Sequence, residues 1–309
     1  MKILIIKPSS FGDIVQALPS ANALKQAYPK CKISWVVFKN WEDIPKLCPD
    51  IDEIITWDRK SGVKGFLEVL SRLRRTKYDI ILDLQGLLRS ACLAKFAKAK
   101  IKIGVPGMKE FSNFLIKEVC PEKANTNATL RNLEPVKFLI GKAFQPKVNI
   151  KIDIDVNNIL NNNRILKDFI AFVPFARGKG KNWDVNNYHK LISLIRNKFI
   201  NIQIVVLGLK SDFGKLQSNQ ITDLCGKTSI EELAGILSKS KVVVGADTGP
   251  MHLAAILNVP TVFIFGCSNI HETAPYLGKF SLLINKENKD NINAIKPETV
   301  FWEIGKWIK

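Results

Sequence analysis

No stretch of the 309 residues approaches the roughly 18 to 20 uninterrupted apolar residues that cross a bilayer. The first apolar run, Ile3 to Ile6, is too short for the core of a secretion signal, and no small-residue cleavage site follows it. The expectation is a cytoplasmic protein. The six cysteines, Cys31, Cys48, Cys92, Cys120, Cys225 and Cys267, form no CxxC pair. That spacing argues against a zinc site and a disulfide framework, and leaves most of them as small buried hydrophobes. The GxGxxG fingerprint of dinucleotide enzymes and the GxxxxGK[ST] of P-loops are both missing, which disfavours an NAD-linked dehydrogenase and a P-loop nucleotidase. Zinc-finger spacing, an RNP-type aromatic motif, a helix-turn-helix and any repeat of 20 to 50 residues are absent as well, so no nucleic-acid partner is expected.

What is present belongs to a globular chain, with 46% hydrophobic and 24% charged residues, and length enough for two domains. The charge is one-sided at +18. Residues 1–150 carry 26 Lys and Arg against 14 Asp and Glu, and the remainder 20 against 14. The excess is densest from Arg59 to Lys102, around Arg72, Arg74, Arg75, Lys95, Lys98 and Lys102, where Glu68, Asp79 and Asp83 are the only acids. Such a field suits an anionic substrate, an anionic membrane or nucleic acid; solvated helix faces in a lysine-rich chain are the plainer explanation.

Short β-branched runs alternate with helical stretches, the pattern of a parallel α/β sheet covered on both faces. KILIIK, KISWVVF, DEIITW, YDIILDL and IKIGV read as strands, with helices at IVQALPSANALKQAY and GFLEVLSRLRRTK. A longer helix, Thr129 to Ala143, and a linker at QPKVNIKIDID follow. The alternation restarts with FIAFVPF, a helix Asn186 to Asn197, IQIVVLG, ITDLC, SIEELAGILSKS, VVVGAD, a helix after Pro250, and TVFIFG. The expectation is two Rossmann-like parallel-sheet domains, residues 1–148 and 149–309. The last helix, about 297–309, is expected to fold back on the first domain.

Four strand-end loops hold the unusual residues. In KPSSFGDIVQALPS, Gly12 permits close backbone approach, and Asp13 is either a helix cap or a base. In DLQGLLRS, Gln85 and Gly86 stand at a sheet edge with Arg89 one turn into the next helix; a plain turn explains them equally well. VPFARGKGKNWD alternates Arg177, Lys179 and Lys181 with glycines, a flexible basic loop suited to phosphate. In VVVGADTGPMHLAA a strand runs into Thr248, Gly249 and Pro250 at a helix start, an anion site beside Asp247 and His252. None of these loops carries a DxD-type metal pair.

Together, KPSSFGDIVQALP, DLQGLLRSA, the KNW of GKGKNWD, and GADTGPMHLAA resemble glycosyltransferase family 9, the ADP-heptose:lipopolysaccharide heptosyltransferases, most closely the heptosyltransferase I type. The resemblance implies a GT-B fold with two facing Rossmann-like domains and an interdomain cleft. It implies inverting transfer of L-glycero-D-manno-heptose from ADP-heptose to Kdo of Kdo-lipid A, without a metal or other cofactor. By the same resemblance Asp13 is the catalytic base. Ala176, Arg177, Lys181, Thr228, Asp247, Thr248, Gly249 and His252 bind the donor nucleotide, and Ser9, Ser10, Phe11, Gly12, Gln85 and Arg89 bind the acceptor. A monomer, peripheral on the cytoplasmic face of the inner membrane, is expected.

The chain departs from the family pattern at FARGKG, where hydroxyl residues are commoner, and at Lys210, where a ribose-binding carboxylate is expected. Heptosyltransferase II or another family 9 transferase is the near alternative. A basic, non-catalytic anion- or nucleic-acid-binding protein is the alternative of a different class.

Overall fold

The computed structural model describes residues 1–309 except 120–126, 142–143, 166–167, 179, 213, 217–220, 286, 289–290 and 309. The chain forms two compact units, Met1–Lys151 and Ile152–Lys309. The division falls inside the expected linker: Lys151 donates its amide to Leu47 of the first unit at 2.8 Å, and Asp153 donates to Glu231 of the second at 2.8 Å.

In the first unit the strands are β1 (Lys2–Ile6), β2 (Lys32–Phe38), β3 (Glu53–Trp57), β4 (Lys77–Asp83), β5 (Lys98–Gly104) and β6 (Lys117–Glu118). All are parallel, in the order β3-β2-β1-β4-β5-β6. Helices α1 (Phe11–Ala17), α2 (Pro19–Ala27), α3 (Asp43–Lys46), α4 (Gly62–Arg74), α5 (Leu88–Phe96) and α6 (Ala128–Ile140) accompany them. The central strand β1 is buried from Ile3 to Ile6 because both sheet faces are covered, which is why its sequence is a continuous apolar run.

The second unit repeats the plan. Strands β7 (Phe169–Val173), β8 (Gln203–Val206), β9 (Ile221–Asp223), β10 (Val242–Ala246), β11 (Thr261–Phe265) and β12 (Phe280–Ile284) lie parallel in the order β12-β11-β10-β7-β8-β9. Its helices are α7 (Val156–Asn162), α8 (Val185–Lys198), α9 (Ile230–Lys239), α10 (Gly249–Ile256), α11 (Ile270–Thr273) and α12 (Pro297–Gly305). Each sheet thus runs outward both ways from a central pair, β1 with β4 and β7 with β10. In open parallel sheets ligands gather outside the carboxyl ends of the strands at that switch point.

Two helix expectations need correction, and the last helix can be placed within its own unit. The helix from Ile14 to Tyr28 is two helices, because Pro19 has no N–H to continue α1 and instead takes the first position of α2. The last helix lies in the core of the second unit: Val300 and Ile304 are fully buried there and Phe301 meets Phe199 at 6.1 Å. The helix lies beside α8, while Trp302 on it is 65% exposed. The helix expected over Thr129 to Ala143 ends at Ile140, and residues 142–143 lie outside the described set.

Candidate functional site

Residues 7–13, 84–90, 174–184 and 247–249 leave the carboxyl ends of β1, β4, β7 and β10, the strands flanking the two switch points. They contain nearly all of the residues the sequence singles out.

In the first unit Ser10 is the N-cap of α1, and Phe11 and Gly12 are the first two residues of that helix. Asp13 is not the cap. It occupies the third helical position, and its Oδ2 accepts from the Ser10 amide at 3.0 Å and the Ser10 hydroxyl at 2.5 Å. Those bonds favour the ionised carboxylate and fix its direction. The neighbouring loop is tied to this one, since Ser9 donates its amide to Gln85 Oε1 at 3.4 Å. Gly86 sits at φ 68°, and a Cβ there would meet Val105 at 2.9 Å, so the turn requires glycine. Arg89, the second residue of α5, is exposed and makes no hydrogen bond or ion pair among the described residues.

Beneath both loops lies a buried charge cluster that the sequence reading did not single out. Asp83 is fully buried at the end of β4; its Oδ1 accepts from the Gln85 and Gly86 amides, each at 3.0 Å, and its Oδ2 from the Ser90 hydroxyl at 2.9 Å. Burial pushes its pKa up to about 6, against the pull of those bonds and of Lys7. Lys7 is 2% exposed and its ammonium donates to the Leu84 carbonyl at 2.8 Å. Burial and Arg131 lower its pKa, while the charges of Asp13 and Asp83 raise it. Both residues stood inside the quoted motifs; their burial is the part a sequence does not display.

In the second unit Asp247, with its side chain 7% exposed, joins two cationic or potentially cationic groups. His252 Nε2 lies 3.1 Å from Oδ1 and Lys181 Nζ lies 3.4 Å from Oδ2. Burial alone would raise the Asp247 pKa, but His252, Ser268 and Lys181 together hold it below the ordinary carboxylate value. The Ser268 hydroxyl adjoins the carboxylate without completing a hydrogen bond. Thr248 caps α10 with its backbone only, and its buried Oγ1, like His252 Nδ1, has no hydrogen-bond partner among the described residues. The Gly249 and Met251 amides open the helix with no intrahelical acceptor, as the first helical N–H groups must. Unsatisfied donors, a lysine and a helix N-terminus therefore converge on one spot, an arrangement that accepts an anion.

The loop after β7 is closed from inside: Ala176 gives its amide to Asn182 Oδ1 at 2.6 Å, and Gly178 and Gly180 take φ 107° and 73°. The Gly180 carbonyl accepts from Cys267 at 3.3 Å, which brings the loop after β11 into the site, a contribution the sequence reading missed along with Ser268. Arg177 is exposed and has no partner among the described residues; Lys179 lies outside them. Thr228 stands apart, after the edge strand β9. Beyond β8, Lys210 opens a one-turn helix with Asp212, which is 6% exposed and accepts from the Leu209 amide at 3.0 Å and from Lys215 at 2.7 Å.

Two Asp-x-Asp spacings do occur elsewhere, at Asp50 and Asp52 and at Asp153 and Asp155. Asp52 pairs with Lys25 and Lys32, and Asp155 caps α7. No group of three or more His, Cys, Asp or Glu among the described residues is arranged to hold a metal ion. The same residues include no helix long and apolar enough to cross a membrane.

Two parallel six-stranded units of identical strand order, with an anion-accepting helix start in the second, define a GT-B glycosyltransferase fold. The heptosyltransferase WaaC of E. coli, solved with ADP, superposes with a TM-score of 0.83 over 99% of each chain at 22% sequence identity. The chain belongs to glycosyltransferase family 9 (heptosyltransferase), whose model matches residues 66–298. It is 24% identical to the lipopolysaccharide core heptosyltransferase OpsX of Haemophilus influenzae, over 98% of this chain and 87% of that protein. It is 28% identical to the lipopolysaccharide heptosyltransferase 1 of Campylobacter coli, over 93% of this chain and 88% of that protein.

Proposed function

We propose that the chain transfers L-glycero-D-manno-heptose from ADP-heptose to the Kdo of Kdo-lipid A, with inversion and without a metal ion, at the cytoplasmic surface of the inner membrane. The relatives named for lipopolysaccharide heptosyl transfer support this substrate pair. The observation that carries the reading is the Asp247 cluster, where Lys181, the Thr248 hydroxyl, unpartnered among the described residues, and the start of α10 converge. As the glycosidic carbon of the donor gains oxocarbenium character, negative charge grows on the departing diphosphate. Lys181 and the α10 amides supply the positive potential that stabilises it, the part a divalent cation plays elsewhere. Asp247 holds Lys181 and His252 in place for that task. In the first unit Asp13 takes the acceptor hydroxyl proton, oriented by Ser10.

The test is turnover. Purified protein given ADP-heptose and Kdo-lipid A should release ADP at the same rate with and without EDTA. Activity only with a different sugar nucleotide overturns the donor, preference for already heptosylated Kdo-lipid A overturns the acceptor, and EDTA inhibition overturns the metal-free scheme.

A further inference from the structure

Phe111 and Phe114 are 79% and 81% exposed, and their rings stack at 6.3 Å with 28° between planes. Single exposed apolar residues are ordinary, but a stacked pair of nearly bare rings is not. The loop that carries them is firmly built. Lys109 donates its amide to the Gly86 carbonyl at 2.8 Å, and the fully buried Ser112 donates its hydroxyl to the same carbonyl at 3.1 Å. Glu110 accepts from the amide of Leu88, itself 44% exposed, at 3.0 Å. Glu110 and Phe111 both take φ 57°, a left-handed backbone that side chains resist, so the fold holds the ring outward against a local cost.

These anchors place the rings beside Gln85 and Gly86, at the carboxyl edge of the first sheet where Asp13 also stands. Exposed Arg89 and Lys109 flank them. The denser basic cluster is elsewhere. Arg74 and Arg75 precede β4, Lys95 lies in the last turn of α5 and Lys98 opens β5, at the opposite edge, a strand length or roughly 20 Å away. A glycolipid acceptor keeps its acyl chains in a bilayer, so the edge that receives its sugar must meet the lipid surface.

We infer that Phe111 and Phe114, with Leu88, Arg89 and Lys109 around them, form the surface by which the first unit docks on an anionic lipid bilayer. The rings enter the acyl boundary while the cations meet headgroup phosphates, the division of labour of interfacial protein surfaces. The inference rests on the acceptor being lipid-linked, as proposed above.

Flotation of the full chain with phosphatidylethanolamine vesicles containing phosphatidylglycerol tests it directly. The Phe111→Ser/Phe114→Ser variant should bind about tenfold more weakly or worse, whereas Phe111→Trp/Phe114→Trp should bind at least as well as wild type. With ADP-heptose, turnover of vesicle-embedded acceptor should fall with binding in the serine variant, and turnover of a deacylated, soluble acceptor should not. Serine-variant binding equal to wild type, or detachment caused instead by Arg74→Glu/Arg75→Glu, overturns the assignment. So does a wild-type dimer in sedimentation that the serine variant dissociates, since a second copy would then cover the rings. If neither acceptor turns over, the heptosyl reading falls, and the flotation arm still decides the surface.

Discussion

The Lys7 ammonium donates to the Leu84 carbonyl at 2.8 Å and thereby joins the loop that holds Asp13 to the loop that holds Gln85. Lys7 is 2% exposed and Asp83 fully buried, so the floor of both loops holds two desolvated charges, each favouring the ionised form of the other through space. Removing one member strands the other. Lys7→Met should therefore cost about 3 kcal/mol in urea unfolding. Lys7→Met combined with Asp83→Asn should recover part of the loss that Lys7→Met alone suffers, because no buried carboxylate is then left without its counter-charge. A Lys7→Met protein as stable as wild type would show that the ammonium only fills space.

Asp83 gives the fold a pH dependence of unusual sign. Its folded pKa, about 6, lies above the ordinary carboxylate value, so between about pH 4 and 6 the folded state binds more protons than the unfolded one. Stability contributed by this group is greatest below that window and declines as pH rises through it. The wild type should lose on the order of 3 kcal/mol relative to Asp83→Asn between pH 4 and 7, at about 1.4 kcal/mol per pKa unit. Urea midpoints of the two proteins across that range check it; parallel curves would mean that Asp83 titrates normally.

Most strands and all four strand-end loops were legible, since buried parallel strands read as β-branched runs and the turns are punctuated by Gly, Pro and Asp. Strand β12 was missed: every residue of this edge strand is only half-buried, so FSLLI lacks the flanking pattern of a central strand. The chemistry was legible only where a motif displayed it. Asp13 and Asp247 stand in recognisable loops, but Ser10 as the real cap and Ser268 beside Asp247 depend on three-dimensional placement. So does the role of Lys7, whose ordinary surface habit argues against burial.

The Ser10 contact with Asp13 settles a balance between orientation and basicity. Two bonds to Oδ2 favour the carboxylate, so Ser10→Ala should raise the Asp13 pKa and move the acid limb of the kcat/KM profile to higher pH. It should also cost about 1 kcal/mol of stability through the lost cap. An unmoved acid limb would separate Ser10 from the base.

Asp13→Asn removes the proton acceptor while keeping the shape that meets Ser10. Transfer should fall roughly 100-fold or more, with ADP affinity unchanged by calorimetry, because Asp13 belongs to the first unit and the cluster proposed to hold the nucleotide to the second. Retained transfer would reduce Asp13 to a member of the capping box.

Thr248 offers a test in which stability and binding should move in opposite directions. Its Oγ1 is buried with no partner among the described residues, a group whose desolvation is uncompensated until a ligand arrives. Thr248→Val keeps the side-chain shape without the hydroxyl, so the unliganded protein should gain up to about 1 kcal/mol in thermal unfolding. The same change should weaken ADP by roughly tenfold, and Lys181→Ala by about 10- to 100-fold with a shallower salt dependence than wild type, since it deletes the charge. Opposed signs for Thr248→Val in unfolding and in ADP titration would identify the hydroxyl as held for the ligand. Lost stability with unchanged ADP affinity would make it part of the α10 framework instead.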